Sequence, residues 1–330
     1  MTHTSALTRP RTRAATVLLV LFALFLAAVP RASAAGPAIQ EVTGFGSNPG
    51  GLKMFRYVPD GLPGGRPVVV VLHGCTQNAA GYGNGSGWVS LADRWGFSVV
   101  LPQQTSGNNL NSCFNWFQSG DIERGHGEAA SIAQMVDKQV ADVGADASRS
   151  YVSGLSAGGG MTAVMMAAYP EKFAAAGVVA GLPYGCAQAA TSPYVCMYVG
   201  ATQSPRQWGD RVRAARPGYA GPWPRLTVFQ GSADYTVKPV NMADLVEQWT
   251  DVRGADQVAD VSDTVAGYPH QLFRDASGSP AVETYSITGM GHGQPVDPGT
   301  GAGQCGTAGA YLLDVNMCAA YVLGHSWGLG

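Results

Sequence analysis

The sequence predicts an α/β domain in which a mostly parallel sheet is covered by helices on both faces. Three observations carry this reading. Strand-like and helix-like runs alternate along the chain, and no repeat, low-complexity linker or charge block divides residues 35–330. Val68-Val69-Val70-Val71-Leu72 is apolar at every position, as in a strand buried on both faces. Ile132, Met135, Val136, Gln139, Val140 and Val143 recur at spacings of three and four, which marks one buried face of a helix.

In chain order, strands are expected at Leu52–Val58, Val68–Leu72, Phe97–Leu101, Ser150–Ser153, Ala174–Ala180, Leu226–Gln230 and Val282–Ile287. Helices are expected at Trp88–Trp95, Glu128–Val143, Ala157–Ala168, Val240–Val252 and Ala308–Gly324. In open sheets of this kind, sites form beyond the carboxyl ends of the strands.

The first 34 residues have a separate character. Arg9, Arg11 and Arg13 precede a 16-residue apolar run, Ala14–Val29, and Ala32-Ser33-Ala34 supplies small residues where a signal peptidase cuts. The run is short for a membrane-spanning helix, which needs about 20 residues. A cleaved export signal over 1–34 is expected, leaving 35–330 as one domain, secreted, extracellular and free of the membrane. That part carries 16 basic and 22 acidic residues, a formal charge of −6, and the chain has only four lysines. It lacks the basic footprint of a nucleic-acid-binding protein. A monomer is expected.

All six cysteines (Cys75, Cys113, Cys186, Cys196, Cys305 and Cys318) fall in the exported part, where disulfides persist. Six cysteines allow 15 connectivities, and sequence does not choose among them. Short loop closure favours Cys186–Cys196 and Cys305–Cys318, which leaves Cys75 with Cys113. No C-x-x-C or His-rich spacing suggests zinc, and no metal or organic cofactor is expected.

Two segments match G-x-S-x-G. Gly154-Leu155-Ser156-Ala157-Gly158 lies between an expected strand and an expected helix. A tight turn there exposes the serine hydroxyl, and the helix start directs N–H groups toward a developing oxyanion. Gly324-His325-Ser326-Trp327-Gly328 has no helix after it and no downstream acid or base, so it reads as chance.

A serine nucleophile needs a base, and the base needs an orienting acid. Only His270, His292 and His325 follow Ser156. His292 lies in a glycine-rich loop just past a strand, whereas His270 reads as a strand residue and His325 falls in or at the end of the last helix. Of the eight aspartates between Ser156 and His292, Asp234 alone closes a strand through a turn, Gly231-Ser232-Ala233-Asp234. Asp251, Asp256, Asp260 and Asp263 lie in a polar stretch and are expected to be solvated. His73-Gly74 follows the all-apolar strand, where a loop can lend a second oxyanion donor. The backbone N–H groups of Cys75 and Ala157 are the expected donors, with Thr76 the alternative to Cys75.

Several linked segments then carry a family resemblance. Leu72-His73-Gly74-Cys75-Thr76-Gln77, Cys113-Phe114-Asn115-Trp116-Phe117 and Gly154 to Gly159 resemble the secreted esterase family of poly(3-hydroxybutyrate) depolymerases and feruloyl esterases. So do Tyr169-Pro170, Ala180 to Gly185, Gly231 with Asp234 and Thr236-Val237, and Gly291-His292-Gly293. The resemblance runs from about residue 40 to the end. It implies an α/β-hydrolase fold without a separate lid domain, a triad of Ser156, Asp234 and His292, and an aromatic substrate cleft to which Trp116 contributes. The alternative for Trp116 is plain core packing. Leu72–Gln77 and Ala180–Gly185 resemble the polyhydroxybutyrate branch most.

Polymer-attacking members usually append a linker and a binding domain, and this chain ends at Gly330. Weak adsorption to solid polyester is therefore expected, with best activity on short soluble esters. The alternative activities are feruloyl or acetylxylan ester cleavage, or acyl transfer to an alcohol. A non-catalytic secreted binding protein on the same scaffold would be favoured by a missing Ser, Asp or His, and all three are present.

Overall fold

Ten strands form one sheet, as the alternation of runs requires. In chain order they are β1 (Gln40–Val42), β2 (Lys53–Tyr57), β3 (Val68–Leu72), β4 (Ser98–Gln103), β5 (Ser150–Leu155), β6 (Ala175–Val179), β7 (Arg225–Gly231), β8 (Val261–Val265), β9 (Tyr268–Arg274) and β10 (Pro280–Ile287). The computed structural model describes residues 1–4 and 38–330, so the export signal read over 1–34 lies outside the described residues apart from its first four. Across the sheet the order is β1-β2-β4-β3-β5-β6-β7-β10-β9-β8. The central run β4-β3-β5-β6-β7-β10 is parallel, and antiparallel strands close both edges.

The all-apolar β3 explains itself in this setting. Its five residues are fully buried, and their side chains alternate between two cores. Val68, Val70 and Leu72 join one core with the helices Gly127–Val143, Ala157–Ala168, Pro205–Ala215 and Val240–Arg253. Val69 and Val71 face the other, with the helices Ala79–Gly85, Trp88–Trp95 and Ala319–Ser326. A strand covered on both sides has no polar face to display. The helix Gly127–Val143 buries Ile132, Met135, Val136 and Gln139, whereas Val140 and Val143, expected on the same face, are only half-buried near its end.

One expected helix is largely absent. Ala308–Gly324 was read as continuous, yet the helix begins only at Ala319. Tyr311 and Asn316 take φ values of 61° and 56°, which a right-handed helix excludes. Leu312–Asp314 instead forms a strand, β12, parallel to β11 (Gln294–Val296) just after His292. Nor is the 251–263 stretch uniformly solvated. Asp251 pairs with Arg213 and Asp263 with His270, while Asp260 accepts the Arg274 N–H at 2.7 Å. Among the described residues no helix is long and apolar enough to cross a membrane.

The six cysteines form Cys75–Cys113, Cys186–Cys196 and Cys305–Cys318. The first closes a separation of 38 residues, for which loop entropy gives about 4 kcal/mol. Full reduction should lower the melting temperature by roughly 10 °C or more. Scanning calorimetry with and without a reductant checks this, and an unchanged melt would contradict it.

Candidate active site

Leu155 ends β5 and Ala157 starts a 12-residue helix, so Ser156 must turn the chain sharply between them. It does so at φ 58°, ψ −117°, a strained region for a residue with a Cβ. The strain is held by packing. The Ser156 N–H donates to the Val179 carbonyl at 2.9 Å, and a Cβ on Gly158 would overlap the carbonyls of Leu72 and His73. The turn therefore presses the serine loop against the end of β3, next to the loop that follows it.

Asp234 and His292 are brought together by the ends of β7 and β10. A Cβ on Gly231 would overlap the Met290 and Gly291 carbonyls, so a glycine lets the two loops touch. Ala233 N–H donates to the Met290 carbonyl at 3.0 Å, and Gly289 N–H to the Ser232 hydroxyl at 2.8 Å. Across this zipper His292 Nδ1 lies 2.7 Å from Asp234 Oδ2. The Asp234 side chain is wholly buried, and its carboxylate also accepts the N–H groups of Thr236 (2.8 Å) and Val237 (2.9 Å) and the Gln230 amide (3.2 Å). A buried carboxylate so placed fixes its histidine partner with the proton on Nδ1. Ser156 and His292 both line one cavity of about 140 Å³, with Met197, Thr236 and Tyr311.

The other two histidines that follow Ser156 lie elsewhere in the fold. His270 sits in β9 between Asp263 (2.7 Å) and Glu283 (3.0 Å), holding sheet strands together. His325 lies in the last helix, where the Ser326 hydroxyl donates to the Leu323 carbonyl at 2.9 Å. The second G-x-S-x-G is thus a helix end.

The loop after β3 supplies backbone donors. Thr76, at φ 63°, donates its N–H to the Asn111 carbonyl at 2.7 Å, which removes it as an oxyanion donor. The N–H groups of Cys75 and Ala157 have no such acceptor among the described residues, and both residues line the larger groove beside Ser156. His73 braces this loop from beneath. Gln104 N–H donates to its Nε2 at 3.1 Å, so Nδ1 carries the proton and donates to the Gly74 carbonyl at 2.8 Å. Burial pushes its pKa down to about 4, which keeps the ring neutral.

That groove, of about 510 Å³, shares Cys75, Thr76, Ser156 and Met197 with the smaller cavity. Trp116 lines it and is also packed on Gly160 and largely buried, so it stands between groove and core. Phe117 lines the groove too, whereas Phe114 is wholly buried against His73. Sequence reasoning missed the helix Pro193–Val199, which adds Pro193, Tyr194 and Met197 to the cleft. Cys186–Cys196 staples that helix, and its bridge was the one available signal. Tyr311 was missed because its loop was read as helix. Among the described residues no cluster of His, Cys, Asp or Glu could hold a metal ion.

Behind the groove, Glu128 ties the wall together. Its carboxylate accepts the Asn115 N–H at 2.8 Å and the Gln104 side-chain amide, while Gln104 also donates to the Cys113 carbonyl at 3.1 Å. Burial pushes the Glu128 pKa up to about 8, against the lowering effect of the Asn115 N–H. The folded chain then binds this proton more tightly than the unfolded chain does. Its stabilising contribution is full below about pH 4.5, the ordinary value, and is lost as pH rises toward 8. Glu128→Gln removes that titration. The melting-temperature gap between wild type and variant should shrink from pH 5 to pH 8, and a gap constant across that range would contradict it.

The chain is also similar to known proteins over most of its length. Residues 52–265 match the family described as Esterase PHB depolymerase. The chain is 56% identical over 292 residues to poly(3-hydroxyalkanoate) depolymerase C of Paucimonas lemoignei, covering 88% of this chain and 70% of that protein. It is 36% identical over 264 residues to a probable acetylxylan esterase A of Aspergillus fumigatus, covering 78% of this chain and 70% of that one. Among solved structures, an acetyl xylan esterase from Aspergillus awamori superposes with a TM-score of 0.71 at 31% identity, over 77% of this chain and 94% of that one. The central parallel sheet, the strand–serine–helix turn and these relatives together show an α/β-hydrolase with no separate lid: the chain belongs to the Esterase PHB depolymerase family and is a serine ester hydrolase.

Proposed function

We propose that the chain is an exported hydrolase of 3-hydroxyalkanoate esters that works through an acyl-Ser156 intermediate. His292 takes the Ser156 hydroxyl proton at Nε2 as the oxygen attacks the ester carbonyl, and Asp234 holds the ring and stabilises the imidazolium. The N–H groups of Cys75 and Ala157 receive the oxyanion, aided by the helix that starts at Ala157. His292 returns the proton to the leaving alcohol, then activates a water that releases the acid. The observation that carries this reading is the shared cavity: a strained serine lines it together with a histidine whose Nδ1 is tied to a wholly buried aspartate.

The substrate class rests on two supports. No Asp, Glu, Lys or Arg side chain lines either part of the cleft, which suits an uncharged acyl chain. Identity to the bacterial polyhydroxyalkanoate depolymerase also exceeds identity to the fungal acetylxylan and feruloyl esterases. Three disulfides suit an oxidising compartment and support export after cleavage near residue 34. Product analysis on hydroxybutyrate oligomers, methyl ferulate and acetylated xylan tests the assignment. Release of 3-hydroxybutyrate is expected to dominate, and efficient ferulate or acetate release without it would overturn it.

A further inference from the structure

We propose that a second cavity, outside the catalytic cleft, binds the free acid of a short 3-hydroxyalkanoate oligomer, with the carboxylate on Arg211 and the hydroxyl end on Glu123. The inference rests on the hydrolase reading above and extends it to the product. Hydrolysis leaves a carboxylate in a cleft that has no charged side chain to hold it. The second cavity, of about 540 Å³, shares no lining residue with either part of that cleft. Yet it is built on the same two segments. Trp116, Phe117 and Leu182 line the groove, whereas Ser119, Tyr184 and Gln188, a few residues further along, line the cavity. The Gln188 amide donates to the Phe117 carbonyl at 3.0 Å and ties the two segments together there.

Arg211 is the side chain that calls for a ligand. It lies over Gly185, and its Nε is fully buried with no hydrogen-bond partner among the described residues. The neighbouring ion pairs leave it out: Asp210 pairs with Arg206 at 3.1 Å and with Arg213 at 2.8 Å, and Glu171 pairs with Arg124 at 2.7 Å. A half-buried guanidinium without a counter-charge favours a carboxylate, which it can hold through two parallel N–H bonds. Tyr184 adds a second donor. Gln248 fixes its main chain, accepting the Tyr184 N–H at 2.9 Å and donating to the Tyr184 carbonyl at 3.0 Å. Burial, aided by the Glu123 charge and opposed by that of Arg211, pushes the Tyr184 pKa up to about 12, so its hydroxyl keeps a proton to donate. Glu123 is exposed, forms no ion pair among the described residues, and supplies an acceptor for the ligand's hydroxyl. Ile122, Ala214 and Pro217 give the apolar wall that an aliphatic chain needs. Together these groups suit a hydroxy acid, whereas a neutral ester or an inorganic anion would use only part of them.

The test is calorimetric titration of the Ser156→Ala chain, which leaves the ligand uncleaved, with the free acid of the 3-hydroxybutyrate dimer. Saturable binding is expected. Arg211→Gln should weaken it by about tenfold or more, since a charge-assisted pair is lost. Tyr184→Phe removes only a hydroxyl, should weaken binding several-fold, and decides the matter should Arg211→Gln not fold. The methyl ester of the dimer, and the dimer acetylated at its hydroxyl, should each bind less well than the free acid. With Ser156 restored, both variants should keep kcat/KM for p-nitrophenyl butyrate within about twofold, because neither residue lines the cleft. No binding of the acid, equal binding of its methyl ester, or undiminished binding in Arg211→Gln would overturn the inference. So would equally tight binding of inorganic phosphate or of 3-aminobutyrate, or loss of acid binding once Ser156 of the active chain is phosphonylated, which would place the acid in the cleft. Failure of the unsubstituted chain to turn over p-nitrophenyl butyrate would instead sink the hydrolase reading, whatever the calorimetry shows.

Discussion

Ser156→Ala should lower kcat on a soluble ester by roughly 10⁴-fold or more, with the melting temperature within a few degrees of wild type. The covalent route needs an oxygen at this place: Thr76, Thr236 and Tyr311 also bring hydroxyls to the cavity with His292, but none of them sits on the strand–helix turn. Alanine leaves the binding groove and both backbone donors in place, so substrate affinity should change far less than turnover. Residual rate above solution hydrolysis would come from those donors and from binding alone. Ser326→Ala is the control. Its hydroxyl only caps a helix end, and full activity is expected from it. A dead Ser326 variant with a live Ser156 variant would reverse the assignment.

Asp234→Asn should lower kcat by about 10³- to 10⁴-fold while KM moves little. Two effects act together. An amide nitrogen facing His292 Nδ1 would favour the tautomer with its proton on Nε2, which cannot accept from Ser156. The imidazolium formed during attack would also lose a charge 2.7 Å away. Some stability should go as well, because Asp234 accepts the Thr236 and Val237 N–H groups that shape the turn. Steady-state kinetics with a parallel melt separate these consequences. Near-normal turnover in the folded variant would move the acid role to another carboxylate.

The parts of this protein that were legible in sequence are those where local pattern and global position agree. The strand Val68–Leu72 could be read because a strand buried on both faces has no polar residue to hide. Ser156 stood out because a glycine-flanked serine between a strand and a helix is a demanding turn, and its φ of 58° shows the demand. Asp234 and His292 followed from chain order and from loops at strand ends, and the fold places them 2.7 Å apart. Their roles are what the kinetics above would test.

What escaped was set by tertiary contact. The polar and apolar mix from Ala308 to Cys318 resembles a helix, yet pairing with Gln294–Val296 and the Cys305–Cys318 bridge hold it as a loop and strand. Phe114 and Trp116 lie two residues apart, but one is buried against His73 while the other lines the groove, a distinction periodicity does not carry in a segment without regular structure. The choice between Cys75 and Thr76 turned on a single carbonyl, that of Asn111, which arrives from 35 residues further along the chain. The rim helix Pro193–Val199 has seven residues and exposes Tyr194, Val195, Tyr198 and Val199, so it shows no buried stripe for a pattern search to find.

The central claim is that Ser156 carries the acyl group. Peptide mapping by mass spectrometry after reaction with an alkyl phosphonate ester, which phosphonylates an activated serine, tests it most directly. One adduct per chain is expected, on the peptide containing Ser156, and it should be absent from Asp234→Asn on the same time scale. An adduct on any other serine, or no adduct in a chain that still cleaves esters, would contradict the account.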